Sequence, residues 1–335
     1  MNGGGLSTGA SDERVAIGVD LGGTHLRVAL VDLLSATRET PVRRSERKVP
    51  LGGANDPDLV AGLLAGAVED SLQEAGHEGA LVPVGIGVAG MLRGKTGIVA
   101  NAPNLGWRDV NFRSLVEMRL PRRRVELYND LNAIAYGEHV FGAGRGVDDI
   151  LCVYLGTGIG AGLVCGGRLV EGASNVAGEI GHVKVEQGPS ARPCGCGARG
   201  CLEAYAGGHN LMERVRAELG HARSRAVELA GGNRKDVHPG HLDQAAREGD
   251  PYAARLWDEI GPLVGVALAN AVTLLNSARL ILGGGVYFGA PALRERVLLA
   301  FGAMVNRQSG DACVVVDAAL RDDAGILGAA ALAVG

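Results

Sequence analysis

Val15-Ala-Ile-Gly-Val-Asp20-Leu-Gly-Gly-Thr24-His-Leu26-Arg-Val-Ala-Leu-Val31 decides the architecture. Two β-rich runs, Val15 to Val19 and Leu26 to Val31, flank a glycine turn, so the segment reads as strand, tight turn, strand. The same unit recurs as Ile150 to Leu155, Gly156-Thr157-Gly158-Ile-Gly160 and Ala161 to Cys165, with another turn at Gly166-Gly167 before Arg168 to Val170. One such hairpin early in each half of the chain implies a duplicated α/β plan.

Glycine turns expose backbone N–H groups, and Thr24 and Thr157 add hydroxyls, so both hairpins are anion cradles that need no basic side chain. Polyphosphate is the natural ligand. Asp20, at the mouth of the first turn, is placed to hold Mg²⁺ directly or through water, because that cation prefers carboxylate, water and phosphate oxygens. Two other nucleotide motifs fail on context. Gly156 to Ala161 fits G-x-G-x-x-A, but that fingerprint must open a helix, and Gly162-Leu-Val-Cys-Gly-Gly follows. Ala89 to Thr96 nearly fits a P-loop, yet Gly97-Ile-Val-Ala and Pro103 leave no room for a helix, so Lys95 reads as a turn lysine.

At 335 residues the chain is long enough for two domains with separate cores and a cleft between them. Hydrophobic residues at 47% and charged residues at 21% describe a globular protein, and 54 glycines mean that much of the backbone turns sharply or approaches something closely. A net charge of -4 and only short basic clusters, at Arg43-Arg44, Arg47-Lys48 and Arg122 to Arg124, read as solvated surface and exclude a nucleic-acid partner. Residues 1–13 read as a flexible tail without the basic start or apolar core of an export signal. Cys152, Cys165 and Cys313 in apolar runs then read as buried thiols of a reducing, cytoplasmic protein. The uncharged run from Ile260 to Ala278 approaches spanning length, but Pro262, Asn270, Thr273, Asn276 and Ser277 favour a buried helix, not a membrane segment.

Periodicity predicts a helix over Asp56 to Ala75 and strands at Val84 to Val88 and Val125 to Leu127. The second strand delivers Tyr128-Asn129-Asp130 to its carboxyl end, where functional groups of open α/β sheets gather, ahead of a helix from about Leu131. Asp130 is a candidate base, with Asn129 and Asn132 as orienters. The competing role for Asp130 is to cap that helix, worth about 1 kcal/mol. Beyond it come a helix through Leu256 to Leu275, the strand and turn Leu280-Ile-Leu-Gly283-Gly284-Gly285, a helix near Ala290 to Val305, a strand over Ala312 to Val316 and a terminal helix over Gly325 to Val334. The three glycines permit a flat ligand such as a nucleobase against the backbone.

One segment carries a metal signature. Gly178-Glu179-Ile-Gly-His182 is followed by Cys194-Gly-Cys196-Gly-Ala-Arg-Gly-Cys201-Leu-Glu203, which supplies three thiolates, one imidazole and two flanking acids. Three sulfurs and one nitrogen complete a tetrahedral shell for Zn²⁺, and a shell with no vacant position is structural. A redox pair would be C-x-x-C, whereas here C-x-C is followed after four residues by a third cysteine.

Asp20 to Thr24, Asn104-Leu-Gly-Trp107, Asn129-Asp130-x-Asn132, Leu155 to Gly158, the Glu179 to Glu203 segment and Gly283 to Gly285 together resemble the ROK family of sugar kinases and sugar-responsive repressors. The likeness runs from about Arg14 to the end. It implies a two-lobed actin/hexokinase-like fold, a duplicated ribonuclease H-like plan, with a zinc-bound loop in the sugar site. The smaller lobe would span 14–130, rejoined by a terminal helix at 324–335, and the larger lobe 131–323. Asp130 would be the base on the sugar hydroxyl, and Asn104, Asn129, Glu179, His182 and Glu203 would contact the sugar. His182, Cys194, Cys196 and Cys201 would hold Zn²⁺. Asp20, Gly22, Gly23, Thr24, Gly156, Thr157, Gly158, Gly283, Gly284 and Gly285 would hold ATP, which arrives with Mg²⁺. The resemblance further implies a homodimer. Family repressors carry an N-terminal winged helix, and thirteen residues precede Arg14, so the expectation is the kinase branch. The expected reaction is phosphorylation of glucose at its 6-hydroxyl. The alternatives are an N-acetylmannosamine or N-acetylglucosamine kinase and a non-catalytic regulator. Leu21, His25 and Ala89 depart from the family pattern and remove none of the proposed catalytic groups.

Overall fold

The structure, a computed structural model, describes residues 15–33, 42–219 and 224–335. The tail expected over residues 1–13 lies outside them, as do the side chains of Arg43 and Arg44. The chain divides into two compact units, one of residues 1–145, 171–176 and 322–335, the other of residues 146–170 and 177–321.

In the first unit, β1 (Val15–Leu21), β2 (His25–Asp32) and β3 (Val42–Pro50) are followed by α1 (Pro57–Glu74), β4 (Val84–Val88), β5 (Met91–Leu92), β6 (Ile98–Ala102), β7 (Trp107–Asn111), α2 (Phe112–Arg119), β8 (Val125–Asn129) and α3 (Asp130–Phe141). The main sheet runs β3-β2-β1-β4-β8, antiparallel through β1 and parallel beyond it, while β5, β6 and β7 form a small separate sheet. Asp56 caps α1 by accepting from Asp58 N, and Pro57 occupies the first helical position, where no amide is missed. Val60, Leu64, Val68 and Leu72 are buried by that helix, while Leu59 is 52% exposed.

The C-terminal helix (Ala324–Val334) belongs to this unit and lies against its sheet at backbone distance. A Cβ added at Gly18 of β1 would stand 2.0 Å from Ile326 O, and one at Gly85 of β4 would stand 1.9 Å from Ala329 O. On the other side, a Cβ at Gly328 would meet Ala133 O of α3 at 1.7 Å. Glycine inside two buried strands, normally a weakness, is required here by close approach.

The second unit repeats the plan. β9 (Ile150–Leu155), β10 (Ile159–Cys165) and β11 (Arg168–Leu169) form the antiparallel part, and β12 (Arg279–Gly283) and β13 (Val314–Asp317) the parallel part, in the order β11-β10-β9-β12-β13. The helices are α4 (Glu203–Ala206), α5 (Gly208–Leu219), α6 (Arg225–Leu229), α7 (Pro239–Arg247), α8 (Pro251–Leu275), α9 (Gly285–Gly289), α10 (Pro291–Met304) and α11 (Arg307–Ala312). The duplicated plan implied by the two hairpins is therefore present, strand for strand.

α8 begins earlier than its apolar pattern suggests, because Asp250 accepts from Ala253 N and Pro251 takes the first position. It is long and apolar enough to cross a membrane, yet Trp257, Ile260, Val264, Leu268 and Val272 are buried in one cluster with Leu151, Val153, Leu280 and Leu282 of the sheet. It is a core helix, as expected. Other expectations need correction. The strand expected from Ala312 starts at Val314, since Asn306 caps α11 by accepting from Gln308 N and Ser309 N. Arg123 is not solvated: it is 8% exposed, and its guanidinium forks onto both Glu69 oxygens at 2.7 and 3.2 Å and onto Ala80 O. Cys165, expected to be buried, is exposed at the end of β10.

Replacing Gly328 by alanine should destabilise the protein by about 3 kcal/mol or more, because the new methyl meets a backbone carbonyl that cannot step aside. Gly66→Ala, on the open face of α1 with nothing within 4 Å, should be neutral or stabilising by up to about 1 kcal/mol. Urea unfolding reads both; equal effects would show that the helix does not seat as described.

Candidate functional site

In the first unit the hairpin closes with Gly22 N donating to His25 O at 3.1 Å. The register sets Asp20 opposite Arg27 on β2 and opposite Gly87 on β4. Burial pushes the Asp20 carboxyl above the usual carboxylate range; Arg27 opposes that and Asp322 adds to it. Arg27 is anchored in turn by Glu46 at 2.8 Å, by Asp323 at 3.1 Å and by the Asp322 carbonyl. The hairpin also touches the Asn104 turn, since a Cβ at Gly23 would lie 2.7 Å from Asn104 O. Asn104 itself is exposed, on the single turn Pro103–Leu105.

β8 runs parallel to β4, and its last residue, Asn129, sits at φ -63° and ψ 144°, which ends the strand and opens α3. Its Oδ1 accepts from Leu131 N at 3.0 Å and Asn132 N at 3.3 Å, while Nδ2 donates to Gly90 O at 3.1 Å. Asn129 is therefore the helix cap. The capping role weighed for Asp130 falls to its neighbour, and Asp130 becomes the first helical residue, partly exposed, its Cα 3.8 Å from the Cβ that Gly87 lacks. Asn132 is buried on the same helix, its Oδ1 without a hydrogen-bond partner among the described residues.

In the second unit, Gly208 N and His209 N at the start of α5 donate to Gly156 O and Thr157 O, at 2.9 Å each. Those two carbonyls thus turn toward α5, as an anion-binding turn requires. Glu203 is tied to the same hairpin: Oε2 accepts from Ile159 N at 2.9 Å, and a Cβ on Gly158 would stand 2.5 Å from that oxygen. The Gly283-Gly284-Gly285 turn abuts it too, because a Cβ on Gly284 would meet Leu155 O at 2.2 Å. The predicted hairpin, acid and glycine turn are contiguous.

His182, Cys194, Cys196 and Cys201 have ligand atoms that all lie within 4.8 Å of one another. Cys194 Sγ is 3.7 Å from His182 Nδ1, and Cys196 Sγ is 3.7 Å from Cys201 Sγ. Zinc–sulfur bonds of about 2.3 Å at tetrahedral angles separate sulfurs by about 3.8 Å, so the four groups fit the ion. The other imidazole nitrogen, Nε2, lies 3.6 Å from Glu179 Oε2. Burial pushes the Glu179 carboxyl up, with His182 opposing and Glu203 reinforcing.

Two side chains of these sites were not expected. Lys184 Nζ donates to Cys201 Sγ at 2.7 Å, placed there by a β-bridge between the two residues. Its cation would offset part of the charge that three thiolates bring to a metal. Arg27 was legible in principle, since pairing Leu21 with Leu26 across the turn puts it opposite Asp20.

The family model for ROK matches residues 16–335. The glucokinase of Streptomyces coelicolor is 34% identical over 325 residues, 95% of this chain and 97% of its own length. The glucokinase of Thermotoga maritima is 35% identical over 330 residues, 94% and 96% of the two chains. A solved ROK family glucokinase from Streptomyces griseus, in complex with glucose and AMPPNP, matches with a TM-score of 0.74 at 33% identity, covering 95% of this chain and 99% of that one.

The ligand geometry predicts about one zinc per chain by elemental analysis, lost in Cys196→Ser. Given apparent zinc folding energies of about 10–16 kcal/mol in small domains, the loop from Glu179 to Glu203 should then become protease-sensitive. A wild-type protein purified without metal that keeps a protected loop would contradict the assignment.

Proposed function

The chain belongs to the ROK family and is a sugar kinase, and from that premise we propose that it phosphorylates glucose at the 6-hydroxyl with ATP as donor. The observation that carries the reading is the division of labour at the end of β8: Asn129 caps the helix by accepting from Leu131 N and Asn132 N, and Asp130 opens that helix at the carboxyl end of the strand. A carboxylate at the head of a helix, at the carboxyl edge of a parallel sheet, can accept a proton from a hydroxyl brought to it.

Asn104, Glu179, His182 and Glu203 would hold the sugar hydroxyls. Asn129 would contribute through Nδ2, which keeps one hydrogen after bonding to Gly90 O. With Nδ1 on Zn²⁺, the His182 imidazole would keep its other nitrogen for Glu179 and the sugar, the usual way a metal orients a ligand's outer face. The Gly22 amide, expected among the phosphate donors, is spent on His25 O, so the amides of Gly23, Thr157 and Gly158, with the Thr24 hydroxyl, would hold the phosphates. Mg²⁺ bound with the nucleotide would offset phosphate charge, and Asp20 would be the carboxylate that meets it directly or through water. Phosphoryl transfer makes little demand on covalent chemistry, so positioning dominates.

Asp130→Asn should lower kcat about 100- to 10,000-fold while glucose affinity stays within about threefold. Near-normal turnover would remove Asp130 from the role of base. A panel of hexoses and N-acetylhexosamines, each with ATP, ADP or polyphosphate, tests the substrates. Faster turnover of N-acetylmannosamine or N-acetylglucosamine would replace glucose as acceptor without touching the Asp130 assignment.

A further inference from the structure

Phe288 lies in α9, three residues past Gly285, and is half-buried; the guanidinium carbon of Arg321 stands 4.6 Å from its ring centroid. The neighbouring ring is braced. Tyr287 meets Phe288 edge-on with centroids 5.5 Å apart, donates its hydroxyl to Asp317 Oδ1 at 3.0 Å, and is covered by Arg294, which itself pairs with Asp317 at 2.8 Å. Arg321 is exposed and holds a left-handed backbone with φ 49°, a conformation that L side chains adopt at a cost. A stack between an exposed arginine and a ring is often only surface packing. Here the stacked arginine sits on a left-handed backbone, and the ring lies beside a glycine turn, a combination that suggests a use.

Its position suggests which. Gly284, at φ 98°, rests on the backbone of Leu155, and the next residue, Gly156, opens the phosphate hairpin. Val286, at the start of α9, sits 3.0 Å from the Cβ that Gly208 lacks, and Gly208 N is bonded to Gly156 O. Hairpin, glycine turn and aromatic helix are therefore contiguous in the second unit. We propose that the Phe288–Arg321 stack is the platform for the purine base of the nucleotide, with the guanidinium sandwiched between ring and base.

A planar guanidinium stacks on bases of any sequence, and the ring behind it keeps it flat. The platform would select a nucleotide over inorganic polyphosphate, which offers the same phosphates and no base. This deepens the reading above and rests on it only for the donor being a nucleotide.

The test is calorimetric titration with Mg-AMPPNP and, separately, with magnesium tripolyphosphate. Wild-type protein is compared with Phe288→Ala, Arg321→Ala and Arg321→Lys. Both alanine variants should bind AMPPNP about tenfold more weakly or worse, with tripolyphosphate affinity unchanged. Arg321→Lys should not rescue, because it restores the charge without the plane. The proposal is overturned if AMPPNP binding is unchanged, if both ligands weaken together, if lysine restores affinity, or if the wild type binds tripolyphosphate as tightly as AMPPNP. The Arg321 variants keep the test decisive should Phe288→Ala misfold. Base-dependent binding in a protein that phosphorylates no hexose would sink the kinase reading and leave the platform standing.

Discussion

One imidazole faces two ways. His182 presents Nδ1 to Cys194 and Nε2 to Glu179, so fixing one nitrogen fixes what the other offers. Between Gly178 and Cys201 the regular structure amounts to the single turn Ile180–His182 and the bridges Lys184↔Cys201 and Pro193↔Arg199. The backbone hydrogen bonds of this stretch are turns and isolated bridges rather than ladders, and four metal bonds would add a cross-link where strands and helices do not. Lys184 makes the same argument from charge, since a Cys₃His shell on Zn²⁺ carries a net negative charge that an ammonium 2.7 Å from one sulfur relieves.

Around that loop, the architecture is one plan used twice. Each unit places three antiparallel strands before two parallel ones, and each turns its first hairpin on glycines. The copies have since diverged in what they carry. The first sheet ends in Asp20, Asn129 and Asp130 and is packed at backbone distance by the C-terminal helix, which glycines in β1 and β4 admit. The second ends in Gly283 and receives Glu203 against its hairpin. The copies therefore offer different groups, Asp20 and Asp130 in the first and a glycine turn with Glu203 in the second.

Much of this was legible in the residues. A glycine turn between two β-rich runs has one economical reading, and register follows from it, which is why both hairpins and the duplication could be drawn at once. The clustering of His182, Cys194, Cys196 and Cys201 was legible because ligand type and number leave few alternatives. Choices between equivalent neighbours were not legible. Asn129 and Asp130 are both good caps, and the decision rests on which one leaves the strand with an extended backbone, a matter of where β8 ends. Gly18, Gly85 and Gly328 announce close approach without naming the partner. Arg123 looks like surface in a run of arginines until Glu69 and the Ala80 carbonyl are brought to it from distant sequence. Lys184 carried no signal, since its partner lies across a bridge that only the folded loop makes.

The central claim is that the metal is structural and holds His182 by one nitrogen while the other serves the sugar. X-ray absorption at the zinc edge, recorded with and without glucose, tests it most directly. Three sulfurs at about 2.3 Å and one nitrogen at about 2.0–2.1 Å, unchanged by glucose, are expected. An oxygen ligand in the resting spectrum, or a shell that gains one when glucose is added, would contradict it.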